Sequence, residues 1–434
     1  MGRWMRMMGM LCLMLTLPGC VNQLDQRPGM IVEEEPITLR IAWWGGEFRN
    51  NATIAVINLY EKLNPHVNIE YEYSSFNEYW RKLAPHAAGN ALPDIIQMDI
   101  SYLSQYSSLQ LLEDMTPYMQ SGLIDTTDIE KEQLESGSLN GKTYGLSLGV
   151  NAMLSIYDPE VLRANDIELP TDTWTWADFD RMGEQLLGKG IYLGTYFTPE
   201  QFFAYYLRQY GSKLYAEDGK RLGYEDDGLF IDYFGRMQQL AEKKLIFAPD
   251  IWTSDIGQPD NDPFYLGEAL FSWGYSNQFI STAQRYGKPL TISPMPGPNS
   301  QDGLFLKPGM FFSMAGNSRH KEEAAKFISF FVNDLDANLL LKGERGVPVS
   351  SSVKERMKLV IEPELAQVFD YIDWVADNSS QMDPPDPVGA PEVTAVLREL
   401  YDLLLFGKIT PEQAAVEFRE RANAILGGEL YKLN

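Results

Sequence analysis

The stretch Ile37-Thr38-Leu39-Arg40-Ile41-Ala42-Trp43-Trp44-Gly45-Gly46 opens a pattern that runs to Asp99 and decides the fold class. Ile37, Leu39 and Ile41 alternate with polar residues and end at Trp43, as a half-buried strand does, and Gly45-Gly46 turns the chain into a loop. Val56, Leu59, Tyr60 and Leu63 then fall at helical spacing until Asn64-Pro65 stops the helix. Val67, Ile69, Tyr71 and Tyr73 alternate as a second strand. A helix follows from Asn77 to about Ala88, kinked or shortened by Pro85, and Leu92 to Asp99 gives a third strand with an acid at its carboxyl end. Strand, helix, strand, helix, strand predicts a parallel sheet in an α/β fold, because a crossover helix is the short way to bring two strands side by side in one direction. Ligands of open α/β sheets bind beyond the carboxyl ends of the strands. Trp43, Trp44 and Asp99 sit at two such ends.

Upstream of this unit the chain reads as an address. Arg3 and Arg6 supply a positive segment, Met7 to Leu17 an apolar one, and Leu17-Pro18-Gly19-Cys20 a small residue before a cysteine. The arrangement resembles a bacterial lipoprotein signal, in which residues 1–19 are removed and Cys20 is acylated, for example with palmitate. A plain secretory signal and an uncleaved anchor are the alternatives. Cys12 lies inside the signal, so Cys20 has no partner for an internal disulfide. Residues 20–36 are polar, with Pro, Gly and the acidic run Glu33 to Glu35, and read as a tether.

Thirty-six Lys and Arg against 60 Asp and Glu give a net charge of −24. Such a surface repels nucleic acid and anionic lipid, so the expected contact with the membrane is the lipid anchor alone. No second apolar run approaches membrane-spanning length. Aromatic residues make up 12% of the chain, and many tryptophans stand in polar or Gly-rich surroundings: Trp43-Trp44-Gly45-Gly46, Tyr79-Trp80-Arg81, Trp174-Thr175-Trp176, Ile251-Trp252-Thr253 and Trp273-Gly274-Tyr275. A flat apolar face with a polar edge suits the C–H faces of a sugar ring. For any single tryptophan the core is the ordinary place, and it is the set that points to carbohydrate.

The later chain continues the α/β reading. Ala325, Ile328, Val332 and Leu335 make one apolar helix face behind Lys321, Glu322 and Glu323. Thr410, Pro411 and Gln413 form a helix start with a capping box, and Ala414, Phe418, Ala422 and Ile425 should be buried after it. Asp383-Pro384-Pro385-Asp386-Pro387 is a loop.

The opening unit resembles the extracellular solute-binding proteins of sugar ABC importers. So do the Leu92 to Asp99 segment, the run Gly267-Glu268-Ala269-Leu270-Phe271-Ser272-Trp273, Lys307-Pro308-Gly309-Met310, the helix Lys321 to Val332, and the run Phe406 to Ala415. None of these motifs is specific alone, whereas their order behind a lipoprotein signal is. The resemblance implies an α/β, two-lobe periplasmic-binding-protein-like fold of type II, with the ligand cleft between lobes. It places 37–147 and 309–348 in lobe 1, and 148–308 and 349–434 in lobe 2. It also implies a monomer that delivers an oligosaccharide to the importer's permease subunits.

Site residues follow from strand ends and from the resemblance. Trp43 and Trp44 match the loop after the first strand, although alternation turns one of them inward. Asp99 would accept hydrogen bonds from two sugar hydroxyls, or cap the next helix. Tyr79 and Trp80 are cleft-edge candidates, and Trp174 and Trp252 rim candidates. In the second lobe Trp273, Tyr275 and Asn277 are expected at the ligand, and Met310 and Phe311 where the chain returns to the first lobe. Arg49, just past Trp44-Gly45-Gly46, can hold a carboxylate bidentately, and the resemblance of this segment to lipoproteins that bind plant cell-wall oligosaccharides implies a uronate-containing ligand; a salt bridge to Glu47 or Asp94 is the other reading.

The competing class is a secreted glycoside hydrolase or polysaccharide lyase, which needs a pair of carboxylates or a base beside a cation. With 60 acids such a pair can always be imagined, but no nucleophile motif or phosphate-cradling loop is present, and His66, His86 and His320 are scattered. No enzyme activity, cofactor or metal is therefore expected. Asp255, Asp260, Asn261 and Asp262 are oxygen-rich without EF-hand spacing and read as a solvated loop. The sequence makes its own prediction at Cys20. Cys20→Ala should release the protein into medium or periplasm, and unchanged retention in detergent-free membrane fractions would sink the lipid anchor.

Overall fold

A computed structural model describes residues 35–195, 198–246, 262–384 and 386–428. The architecture is that of the unit beginning at Ile37. The expected opening unit is present as β1 (Ile37–Trp44), α1 (Glu47–Leu63), β2 (Val67–Ser74), α2 (Phe76–Ala88) and β3 (Ile95–Met98). β1 pairs in parallel with β2 from Ile37 opposite Val67 to Trp44 opposite Ser74, and with β3 at Ile41 opposite Ile95. The helix α2 carries Pro85 and still reaches Ala88.

After α3 (Ile100–Ser108) the chain adds β4 (Leu146–Ser147), β5 (Val150–Asn151) and β6 (Met153–Tyr157). It continues through α4 (Trp176–Leu186), β7 (Tyr192–Gly194), α5 (Pro199–Gln209) and α6 (Asp227–Glu242). Then come β8 (Ala269–Tyr275), β9 (Thr291–Ser293), β10 (Lys307–Pro308) and β11 (Phe311–Met314). The last helices used below are α7 (Lys321–Asn333), α8 (Leu335–Leu341), α9 (Ala390–Leu405) and α10 (Pro411–Leu426).

Two sheets divide these strands. The first has the order β2-β1-β3-β11-β4, with β11 antiparallel to both neighbours, and the second the order β9-β6-β8-β7. The buried side chains form two clusters, the first of which also takes Leu154, Ile156 and Ala269 from the second sheet. Leu39, Ile41, Ile95, Phe312, Phe327 and Phe331 belong to the first, and Phe203, Phe230, Phe234, Leu400 and Phe418 to the second. The result is a two-lobe α/β architecture, in which two faces that cannot both pack on one layer each acquire their own helices.

Capping fixes several boundaries. Thr410 and Gln413 exchange the expected hydrogen bonds at the start of α10, and Ala414, Phe418, Ala422 and Ile425 are buried. Leu335 does not extend the apolar face of α7, because Asp334 ends that helix and accepts the Ala337 amide at 2.9 Å as the cap of α8. An acceptor free to cap a new helix start competes with continuing the old one.

The chain passes between the sheets at a narrow crossing. β5 pairs antiparallel with β10, Val150 bridges Val347, and the Gly309 amide donates to the Gly149 carbonyl at 2.8 Å. Three glycines let these passages touch. A Cβ on Gly149 would lie 2.7 Å from the Arg345 carbonyl oxygen, one on Gly309 would lie 2.1 Å from the same atom, and Gly346 has φ +113. Gly309→Ala should therefore lower stability by about 1–3 kcal/mol or more through overpacking against backbone. Gly235→Ala, whose new methyl would meet only Pro411 at 3.7 Å inside α6, should raise it by roughly 0.5–1 kcal/mol. Urea unfolding of the two variants checks the contrast.

Candidate functional site

β1 ends in two tryptophans with opposite fates. Trp43 is fully buried, donates from Nε1 to Asn50 Oδ1 at 2.9 Å, and is covered by Tyr71 and Tyr73 at ring-centroid distances of 5.5 and 5.4 Å. Trp44 turns the other way onto a cavity of about 1420 Å³, against Phe76 edge-on at 5.3 Å. Alternation decides this: neighbouring side chains on a strand face opposite sides.

β3 delivers the next group. Asp99 lines the cavity and caps α3, its Oδ1 accepting from the Ser101 amide at 3.0 Å and from Ser101 Oγ at 2.6 Å. The cap reading of Asp99 holds and uses one oxygen, which leaves Oδ2 without a hydrogen-bond donor among the described residues. Three residues on, Tyr102 also lines the cavity and lies face to face on Trp80 at 3.8 Å and 16°. Burial, with Asp99 and Glu392, pushes the Tyr102 phenol upward in pKa against the pull of Arg398.

Opposite stand residues from the second sheet and the crossing. Tyr275, Asn277 and Met310, three of the residues expected at the ligand, line the cavity. Lys307 of β10 holds its ammonium over the Tyr275 ring at 4.5 Å, so one face of that ring is already covered. Arg208 of α5 fastens the proline loop, reaching Asp383 at 2.7 Å and the Gln381 carbonyl at 2.8 Å. Arg398 pairs with Glu200. The Ser104 hydroxyl of α3 donates to the Asp386 carbonyl at 2.8 Å, so the two walls meet at that edge.

Arg49 lines the cavity, but its partner is neither Glu47 nor Asp94. Its Nε donates to Glu344 Oε2 at 2.6 Å, and Nη1 to the Trp44 carbonyl at 3.3 Å. Gly45 permits this fold-back, because a Cβ there would sit 2.6 Å from Arg49 Cδ. Asn277 reaches the Glu344 carbonyl at 3.4 Å from the other side. Glu344 is distant in sequence from both residues, which is why the pairing could not be read from spacing.

Several expected ligand residues are instead structural. Trp43, Tyr79, Trp174, Trp273 and Phe311 are buried and do not line the cavity. Tyr79 donates to the Gln97 carbonyl at 2.7 Å, and Trp174 Nε1 to the Pro294 carbonyl at 2.8 Å. Trp273 stacks on Trp174 at 6.3 Å and 10° and presses on Gly194, where a Cβ would fall 2.1 Å from its Nε1. Phe311 packs on Gly145. Trp80 is buried too, and serves as the support beneath Tyr102. Trp252, Asp255, Asp260, Asn261 and Cys20 lie outside the described residues. Sequence reasoning missed Phe76, Tyr102, Lys307 and Asp386 as wall residues. Tyr102 was accessible from its place one helical turn after Asp99, and Asp386 from its place in an acidic proline loop.

The charges of the wall are coupled. Burial, then Asp99, with further help from Asp383 and Glu200 and against Lys307, pushes the Asp386 carboxyl up to about 6. Burial acts to lower the Lys307 ammonium, but Tyr275, Asp99, Asp386 and Glu200 outweigh it and raise its pKa. Among the described residues no three His, Cys, Asp or Glu side chains group as metal ligands, and no helix is long and apolar enough to cross a membrane.

Comparison with known proteins follows the same outline. A family model described as bacterial extracellular solute-binding protein matches residues 55–383. A lipoprotein of Streptomyces antibioticus is 26% identical over 185 residues, which is 42% of this chain and 39% of that one. A periplasmic oligogalacturonide-binding protein from Yersinia enterocolitica, in complex with saturated digalacturonic acid, superposes with a TM-score of 0.79 at 21% identity, over 90% of this chain and 98% of that one. An ABC substrate-binding protein from Listeria monocytogenes, in complex with cycloalternan, superposes with a TM-score of 0.77 at 18% identity, over 91% and 100%. At these identities the structural likeness is one of fold.

The buried position of Trp273 reverses what its sequence context suggests. Trp273→Ala should cost about 3–5 kcal/mol of stability, as for other large core aromatics. Ligand affinity of the folded fraction should be little changed. Paired melting curves and titrations check this, and a stable variant with lost affinity would return Trp273 to the site.

Proposed function

Because the chain belongs to the bacterial extracellular solute-binding proteins, we propose that it captures an oligosaccharide in this cavity and hands it to the permease subunits of an ABC importer. The observation that carries the reading is the Trp80–Tyr102 stack beside Asp99: a supported aromatic face next to a carboxylate with a free oxygen. Such a pair offers what a sugar ring presents, an apolar face and vicinal hydroxyls. The cavity of about 1420 Å³ exceeds the roughly 300–1,000 Å³ typical of sites for drug-sized ligands, which suits a chain of several sugar units.

In this reading lobe 1 is 37–147 with 309–348, and lobe 2 is 148–308 with 349–434. The sheet memberships of β4, β6 and β11 support the division. Trp44, Asp99 and Tyr102 stand on one wall and Tyr275, Lys307 and Asp386 on the other. A ligand touching both walls binds the closed state better and shifts the population toward it. The protein works as a monomer outside the cell, tethered through an acylated Cys20, and performs no catalysis. A uronate-containing ligand is a second reading, favoured by the place of Arg49 on the cavity wall and by the digalacturonic acid in the Yersinia neighbour. It requires Arg49 to exchange Glu344 for a ligand carboxylate.

A melting screen against neutral and acidic oligosaccharides tests the core of the proposal. A true ligand at a hundredfold excess over Kd should stabilise by about 2.7 kcal/mol. Tyr102→Ala should weaken it by about tenfold or more, the loss expected for an apolar face buried on the ligand. Release of reducing sugar from pectic or xylan polymers, abolished by Asp99→Asn, would favour an enzyme instead.

A further inference from the structure

We propose that Lys307, Asp99 and Asp386 act together as a charge filter, which makes the cavity selective for uncharged, hydroxyl-rich sugar units and sets it against units bearing a carboxylate. This rests on the oligosaccharide reading and divides its neutral from its acidic form.

The filter emerges once the paired charges of the wall are taken out. Arg49 is held by Glu344, Arg208 by Asp383 and Arg398 by Glu200. Lys213 lies 3.6 Å from Asp383 and 3.9 Å from Glu217. Lys220 is exposed. Lys307 is different: its ammonium rests on the Tyr275 ring and, among the described residues, makes no ion pair. Facing it, Asp99 uses only Oδ1, on Ser101, and the Asp386 carboxylate has no hydrogen-bond donor among the described residues. With the exposed Glu217, Asp218 and Lys220 set aside, the uncommitted groups are one ammonium and two carboxylates, all opening on one cavity.

The groups around Asp386 come from every neighbouring element. Asp99 approaches from the start of α3, Lys307 from β10, Glu200 from α5 and Asp383 from its own loop. Tyr275 and Tyr215 also feel it. The signs agree: the carboxyl of Asp386, the phenol of Tyr275 and the ammonium of Lys307 all hold their protons more tightly than usual. Burial is the first cause for the two acids and opposes the shift at Lys307, which Tyr275 and then Asp99, Asp386 and Glu200 raise. A neutral sugar unit answers every group, giving hydroxyl hydrogens to Asp99 and Asp386 and an oxygen lone pair to Lys307. A uronate would gain one cation and meet two like charges, an arrangement that disfavours the ionised form of all three carboxyls.

The test is calorimetric titration of the full chain with tetragalacturonate and with the same tetramer after reduction of each carboxyl to a primary alcohol, repeated for glucuronate and mannuronate series. At pH 7.5 the reduced oligomer of the recognised series should bind about tenfold or more tighter than its acidic parent, the scale of a hydrogen bond to a charged group gained or refused. Asp386→Asn should narrow that ratio and Lys307→Met should widen it, with melting curves confirming that both variants fold. Lowering the pH to 5 should narrow the ratio in the parent protein, because Asp386 then carries its proton, and leave it nearly fixed in Asp386→Asn. Equal or tighter binding of the acidic oligomer overturns the filter. If Arg49→Ala then abolishes that binding, the carboxylate receptor is Arg49. Failure of every oligosaccharide in the melting screen, neutral or acidic, would instead remove the oligosaccharide reading on which the filter stands.

Discussion

The close approach of three backbone passages at Gly149, Gly309 and Gly346 is the constraint on which the remaining structure depends. The Arg345 carbonyl lies so near that a methyl on Gly149 or Gly309 would collide with it, and Asn151 Nδ2 donates to the same oxygen at 3.2 Å. The Arg345 side chain runs the other way into the first lobe. It is fully buried, donates from Nε to Gln97 Oε1 at 3.2 Å and from Nη2 to Thr53 Oγ1 at 2.8 Å, and lies over the Phe331 ring. Burial first, then the nearby Arg49 charge, brings its pKa down to about 9. A buried guanidinium held largely by neutral oxygens is costly, and it persists because the fold around it leaves no cheaper arrangement.

This crossing reaches the cavity through single bonds. Gln97 Nε2, beside Arg345, donates to the Trp44 carbonyl at 3.1 Å, and so fixes the end of the strand that presents Trp44. Glu344, the next residue back, takes Arg49 from one wall and Asn277 from the other. Small rotations at three glycine-lined contacts would therefore change the separation of groups far along each wall, which is the lever that the proposed closure needs.

The aromatic content serves two layers rather than one. The outer layer, Trp44, Phe76, Tyr102 and Tyr275, meets the cavity, while an inner layer that includes Trp43, Trp80, Trp174 and Trp273 holds it in place. Rings of this size cannot reorient inside a close-packed interior, so the inner layer gives the outer one a fixed direction without itself reaching the cavity. The same economy governs charge. Most cations of the wall are anchored by carboxylates that shape loops, as Arg208 anchors the loop at Asp383, and few remain to meet a ligand.

The sequence by itself determined the α/β class, the order of the opening strands and helices, the capping box at Thr410 and the place of Asp99 at a strand end. All of these depend on residues within one or two turns of each other, where period, turn chemistry and capping act directly. It also limited Trp43 and Trp44 to one inward and one outward face, without saying which. Tertiary structure alone decided that Trp44 is the outward one, that Trp273 is core and that Arg49 is bound to Glu344, almost three hundred residues away. It also decided that Lys307 and Asp386 open on the same cavity. Aromatic rings are equally at home in a core and on a sugar, and any of 60 acids can answer a given cation, so composition carries no information on which contact forms. Only the path of the chain through the glycine crossing brings those distant groups into one cavity.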